Sequence, residues 1–222
     1  MRFHSPDFPQ PAAPLNVSFP VLNCLAWQAP YKSNGYEDVA TAFIACRGRH
    51  SAGIGVSVVA EWSQTLPAGA TVLDLGCGTG VPISQVLIER DFKVYGVDAS
   101  PTIVAAFRVR FPDVPIECVT VEDSQFFTRT FDAVIAWGLL FLLEPEVQRR
   151  LIKKIAGVLR SGGRLLFTAP KQSGSWPDIM TGRPQFSLGY DEYKKKMEAE
   201  GLLLIGTRTD EGENHYYLAQ KL

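Results

Sequence analysis

From Thr71 onward, short unbroken apolar runs alternate with longer stretches whose apolar residues recur every three or four positions. The runs Thr71–Leu75, Lys93–Val97, Val114–Val119, Phe131–Ala136 and Arg164–Thr168 read as strands. Between them, Val81–Arg90, Pro101–Phe111 and Pro145–Leu159 read as helices. The first turns Ile83, Val86 and Leu87 inward, and the last buries Val147, Leu151, Ile155 and Val158 at spacings of four, four and three. Ser100 is placed to cap the second of these helices, with Pro101 at its first position, and Gly162-Gly163 to close the third. Strands that are apolar on both faces, separated by helices, predict a parallel sheet covered on both sides.

Past Pro170 the pattern changes. Residues 171–188 hold Gly, Ser, Trp and Pro without a period and read as an inserted loop. Tyr190–Glu200 follows as a helix, then strands Leu202–Thr207 and His215–Ala219. The gap Arg208–Asn214 is short enough for a hairpin, so the last strand is expected to run antiparallel. The α/β sheet so predicted has seven strands, mostly parallel.

Upstream, residues 1–35 carry prolines at 6, 9, 11, 14, 20 and 30 and predict an extended arm. A helix is expected from Gly35, with Tyr36, Val39, Ala40 and Phe43 on one face, ending at Arg47-Gly48-Arg49-His50. A second spans Gly53 to Thr65 before the Pro67-Ala68-Gly69 break. Residues 1–50 are therefore read as an arm and covering helix, and 51–222 as the domain proper.

Composition narrows the class. With 46% apolar and 20% charged residues in 222, a full core is available, and a net charge of −1 supplies no field for nucleic acid. Cys24, Cys46, Cys77 and Cys118 form no C-x-x-C pair, which argues against structural zinc or a disulfide framework; Cys77 and Cys118 read as small apolar fillers. No signal peptide and no apolar run of membrane-spanning length is evident, so a cytoplasmic protein is expected.

The chemistry concentrates at Asp74-Leu75-Gly76-Cys77-Gly78-Thr79-Gly80, where a strand delivers a carboxylate, three alternate glycines and then a helix. Such a loop brings backbone N–H groups close to a ligand. A dinucleotide site has G-x-G-x-x-G; here the third glycine comes one residue early, and Asp74 suits a cationic amine better than a pyrophosphate. The pattern D-x-G-x-G-x-G resembles motif I of the class I S-adenosylmethionine (SAM)-dependent methyltransferases, and the likeness covers residues 50–222.

The resemblance implies a Rossmann-like sheet whose seventh strand runs backwards, with SAM as cofactor. It places Asp74, Gly76, Cys77, Gly78, Thr79 and Gly80 at the methionine end, Asp98 on the ribose hydroxyls, and Ala99 and Ser100 against the adenine. Glu122 or Asp123 is expected to accept the adenine amino group, and Trp137 to lie beside the methyl. Leu159-Arg160-Ser161-Gly162-Gly163 matches the family's L-x-P-G-G turn, with Ser161 where proline is usual. Arg47 or Arg49 is a candidate partner for the cofactor's carboxylate.

Ligands of open parallel sheets sit beyond the strands' carboxyl ends. Trp137, Trp176, Phe186, Glu211, His215 and Tyr216, within or near the insert and the last hairpin, are accordingly expected to line the acceptor pocket. His215 is the candidate general base, because imidazole titrates near neutrality. Glu211, Glu213 and His215 are weak grounds for a metal, and none is expected. A small-molecule acceptor for O-, N- or S-methylation is the leading reading, in a monomer or homodimer without membrane contact. The alternatives are an RNA or protein methyltransferase, although no N/D-P-P-Y/F run follows the fourth strand, and a SAM-binding protein without transfer activity. A dehydrogenase fits on fold alone.

Overall fold

The computed structural model describes residues 32–47 and 53–222, Arg47 by its backbone alone. The proline-rich arm up to residue 31, and Arg49 and His50, lie outside the described residues, as does the Arg47 side chain. Two helices, α1 (Ala40–Arg47) and α2 (Val56–Ser63), precede the alternating region. Then come β1 (Thr71–Leu75), α3 (Ile83–Ile88), β2 (Lys93–Asp98), α4 (Pro101–Arg110), β3 (Ile116–Cys118), β4 (Phe131–Ala136), α5 (Pro145–Val158) and β5 (Leu159–Thr168). The chain closes with β6 (Gly174–Pro177), β7 (Pro184–Ser187), α6 (Tyr190–Ala199), β8 (Leu202–Thr209) and β9 (His215–Lys221).

Seven strands form one sheet in the order β3-β2-β1-β4-β5-β9-β8. Every neighbouring pair is parallel except those involving β9, which runs antiparallel to both β5 and β8. The fold predicted from the apolar pattern is therefore present. Strand alternation divides the core in two. Leu73 and Leu75 of β1 pack with Ile152 and Ile155 of α5 and Met197 of α6 on one face. Val72 packs with Val59 of α2 and Leu87 of α3 on the other. Covered on both sides, all five residues of β1 are buried.

Four local expectations change. Residues 33–39 make successive turns, and the first helix starts only at Ala40. Gly162-Gly163 does not end α5 but lies inside β5, which starts at Leu159. Pairing jumps from Phe131↔Leu159 to Ala133↔Arg164, so the two glycines are absorbed in an irregularity of the ladder. The insert is not a loop throughout: β6 and β7 form a two-stranded hairpin with Trp176 opposite Gln185. Its turn is closed by Asp178, which accepts hydrogen bonds from the Met180 and Thr181 amides at 2.6 and 2.9 Å and donates its own N–H to Arg183 O at 2.7 Å. Cys77 is buried as expected, whereas Cys118 is exposed, because β3 is an edge strand. Among the described residues no helix is long and apolar enough to cross a membrane.

Candidate functional site

The carboxyl ends of β1, β2 and β4 converge on one cavity, and the glycine loop shapes its floor. Gly76 and Gly80 have φ of +67° and +78°. A Cβ on Gly80 would stand 2.5 Å from the Phe111 ring, so that position requires glycine on two counts, while at Gly76 the positive φ carries the requirement. The loop is pinned to β2: the amides of Gly76 and Cys77 both donate to Val97 O, at 2.8 and 3.2 Å. Gly78 N donates to Asp98 Oδ2 at 3.0 Å, while Asp98 Oδ1 accepts from Ser100 N at 2.9 Å. The Asp98 carboxylate thus ties the glycine loop to the start of α4.

Asp74 is 1% exposed and accepts a hydrogen bond from Ser84 Oγ at 2.5 Å. Burial drives its pKa up to about 7 against that hydrogen bond, with the charge of Asp98 adding to the rise. Asp98 is also raised by burial, opposed by the amides it holds. Two acids kept reluctant to ionise, at the edge of one cavity, favour a ligand that brings positive charge.

Of the residues expected to hold a cofactor, Asp74, Gly76, Cys77, Asp98, Ala99, Glu122 and Trp137 line this cavity together. Gly78, Thr79, Gly80, Ser100 and Asp123 do not line it. Gly78 holds Asp98, and Ser100 caps α4, its Oγ accepting from Ile103 N at 3.3 Å. Asp123 lies further out, paired with Lys32 at 3.6 Å.

Sequence reasoning missed the segment before α1, whose Asn34 and Tyr36 line the same cavity, as does Phe43 on α1. Tyr36 Oη donates to Asp178 of the insert at 3.0 Å. Glu37 accepts from Ser100 Oγ, from Thr102 Oγ1 at 2.6 Å and from Thr102 N at 3.2 Å. Burial works against its ionised form, but these donors outweigh it and hold Glu37 below the usual carboxylate range. Asn34 and Glu37 lie outside the periodic pattern, and Tyr36 was read only as part of a helix's apolar face, so nothing in their spacing announced them as site residues.

The expected acceptor residues are separated. Trp137 lines the first cavity; Trp176 and His215 line a second, with Phe141, Thr168, Lys171, Gln185 and Glu213 among its walls. Phe186, Glu211 and Tyr216 line neither. The reason for the last is strand geometry: adjacent residues of β9 point to opposite faces. Tyr216 packs in the α2–α3 core, where its hydroxyl accepts from Trp137 Nε1 at 2.7 Å and donates to Asp210 Oδ2 at 2.6 Å. His215 points the other way, its ring perpendicular to that of Tyr217 with centroids 4.8 Å apart. The two cavities share a wall, since Gly138 of the first donates its N–H to Thr168 Oγ1 of the second at 2.8 Å. Among the described residues no group of three or more His, Cys, Asp or Glu is placed to hold a metal ion.

Residues 72–163 match the family described as methyltransferase domain. This segment is similar to a methyltransferase domain. It spans β1 to the glycine pair in β5, and so contains both acids and the glycine loop. An uncharacterized methyltransferase of Mycobacterium tuberculosis is 37% identical over 101 residues, 45% of this chain and 40% of that protein. A tRNA U34 carboxymethyltransferase of Cellvibrio japonicus is 25% identical over 140 residues, 58% of this chain and 42% of that protein. The chain thus spans about two-fifths of the length of these curated relatives. In fold it is similar to a SAM-bound amino pentose methyltransferase from Micromonospora echinaspora, with a TM-score of 0.64 and 19% identity over 83% of this chain and 97% of that one. The methyltransferase likeness read from the glycine loop is met by the family match over residues 72–163 and by the fold.

Proposed function

We propose that this chain binds SAM in the first cavity and transfers its methyl group to a small-molecule acceptor. The observation that carries this reading is the convergence of Asp74, the glycine loop, Asp98 and Glu122 on one cavity within the methyltransferase domain. The donor and acceptor chemistry fits. Each Asp98 oxygen accepts one amide N–H and keeps a lone pair for a ribose hydroxyl. Asp74 is a buried acid whose ionised form is paired to no cation among the described residues and would gain from an ammonium or sulfonium. Thr120, Val121 and Glu122 at the end of β3 offer an apolar and polar edge to a purine, and Leu139, Leu142 and Leu143 keep the opposite side dry.

When bound, the cofactor supplies an electrophilic methyl on a positively charged sulfur; the chain supplies binding, alignment and water exclusion. An RNA acceptor has the tRNA-modifying relative in its favour. The basic run on α6 does not help it, because Lys194 and Lys196 pair with Glu198 and Glu200 at 3.8 and 2.6 Å. The neutral charge balance leaves no field for a polyanion.

Calorimetry tests the cofactor reading. Heat is expected with SAM and with S-adenosylhomocysteine, none with NADH, and Asp98→Ala should weaken the first two at least about tenfold. Heat with NADH alone overturns the reading. Binding of both adenosyl compounds, with no transfer to any small molecule in a metabolite extract, leaves a SAM-binding protein in its place.

A further inference from the structure

The second cavity has no role in the cofactor reading, yet it contains a feature that needs a ligand. His215 is 8% exposed, and neither ring nitrogen has a hydrogen-bond partner among the described residues. A buried imidazole normally satisfies at least one nitrogen, and leaving both unmet is costly. Its ring lines a cavity that also presents Trp176 as a flat apolar wall and Lys171 as a cation. The cavity meets the cofactor cavity along Gly138–Thr168, and successive residues Phe141 and Leu142 line one each.

Resting on the methyltransferase reading, we propose that the second cavity holds the methyl acceptor, a ring bearing a weakly acidic hydroxyl such as a phenol or enol, and that His215 takes its proton. The hydroxyl oxygen forms the new bond to the methyl carbon as the carbon–sulfur bond breaks, and the sulfur leaves with that bond's electron pair as a neutral thioether. The hydroxyl proton passes to a ring nitrogen of His215. The charges around the cavity select the class. Lys171 stabilises a developing phenolate, whereas a protonated amine would set a second cation beside it. Glu213, on the hairpin side, is exposed and well solvated, and the Tyr217 ring stands perpendicular to that of His215. Burial and the Lys171 charge both lower the His215 pKa, so the imidazole is neutral at physiological pH and free to accept. A base so weakened matches an acidic hydroxyl better than an alcohol.

The test uses the full chain loaded with S-adenosylhomocysteine and 4-nitrophenol as probe, since the yellow phenolate reports proton transfer without turnover. The imidazole NMR signals of three histidines are the second readout, with His215 assigned by its loss in His215→Gln. At about pH 6, the probe should shift the His215 signal and raise the bound phenolate fraction. His215→Gln should lower that fraction about tenfold while retaining affinity within about threefold. His215→Asn, with both variants checked by thermal melting, guards against a folding defect. An unmoved His215 signal, an unchanged phenolate fraction in both variants, or 4-nitrobenzylamine displacing the phenol each overturns the proposal. Loss of S-adenosylhomocysteine heat would instead sink the cofactor reading, and the probe titration on the unloaded chain reads the cavity independently.

Discussion

A carboxylate that resists ionisation is a cost carried by the folded chain, and Asp74 makes that cost measurable. Its pKa lies near 7 when folded against 3.8 when exposed, because burial penalises the charged form. The native state therefore binds a proton that the unfolded state releases between those values. Stability contributed by this group is fully present below about pH 4 and is lost as pH rises through 7. Three units correspond to about 4 kcal/mol at the limit, and on the order of 2 kcal/mol after local relaxation. Asp74→Asn keeps an acceptor for Ser84 and removes the charge. Urea unfolding should show it more stable than the parent by that amount at pH 8 and equal to it near pH 4. The same substitution should weaken SAM binding at least about tenfold, because the cation loses its counter-charge. For the parent chain, SAM affinity should fall as pH drops below 7, with proton release on binding in that range. A variant equally stable at both pH values would show that Asp74 is not desolvated.

At the scale of elements, the start of α4 is held by a residue from far upstream. Ser100 caps the helix, and Glu37 accepts from Ser100 and from both the hydroxyl and the amide of Thr102. A carboxylate at a helix N-terminus is favoured by the dipole as well as by these bonds. Glu37→Gln should cost about 1 kcal/mol and speed hydrogen exchange of the first-turn amides of α4. Because its pKa is depressed, this stabilisation is present above pH 4.5 and is lost as pH falls further. The cofactor should bind more weakly as well, since Asn34 and Tyr36 of the same segment line its cavity. Unaltered exchange in α4 would deny Glu37 this role.

Legibility in the sequence follows the same divide. Asp74, the glycines and Asp98 were readable because backbone geometry fixes them at strand ends. Ser84 was not, because a serine on the buried side of a short helix carries no signal of its own. Nor was the β6–β7 hairpin, whose four-residue strands contain Gly and Pro and take their register from the Asp178 turn rather than from apolar alternation.

Across the whole molecule, β9 is the member that joins distant parts. As the antiparallel strand between β5 and β8, it sends Tyr216 to one face and His215 to the other, so two neighbours that the sequence pattern assigned to one pocket serve different sides of the sheet. Tyr216 bridges Trp137 after β4 to Asp210, which in turn accepts from the amides of Gly212 and Asn214 and shapes the β8–β9 hairpin. The hairpin that borders the second cavity is thereby tied to a residue lining the first. Tyr216→Phe fills the same space but takes one donor from Asp210 and the acceptor from the Trp137 indole. With the Tyr216 hydroxyl fully buried, that should cost about 1–3 kcal/mol in chemical denaturation. The decisive readout is not stability. If the network positions Trp137, the variant should lose affinity for S-adenosylhomocysteine and for the phenol probe together, although Tyr216 lines neither cavity. Loss of stability with both affinities intact would make the bridge a packing element alone.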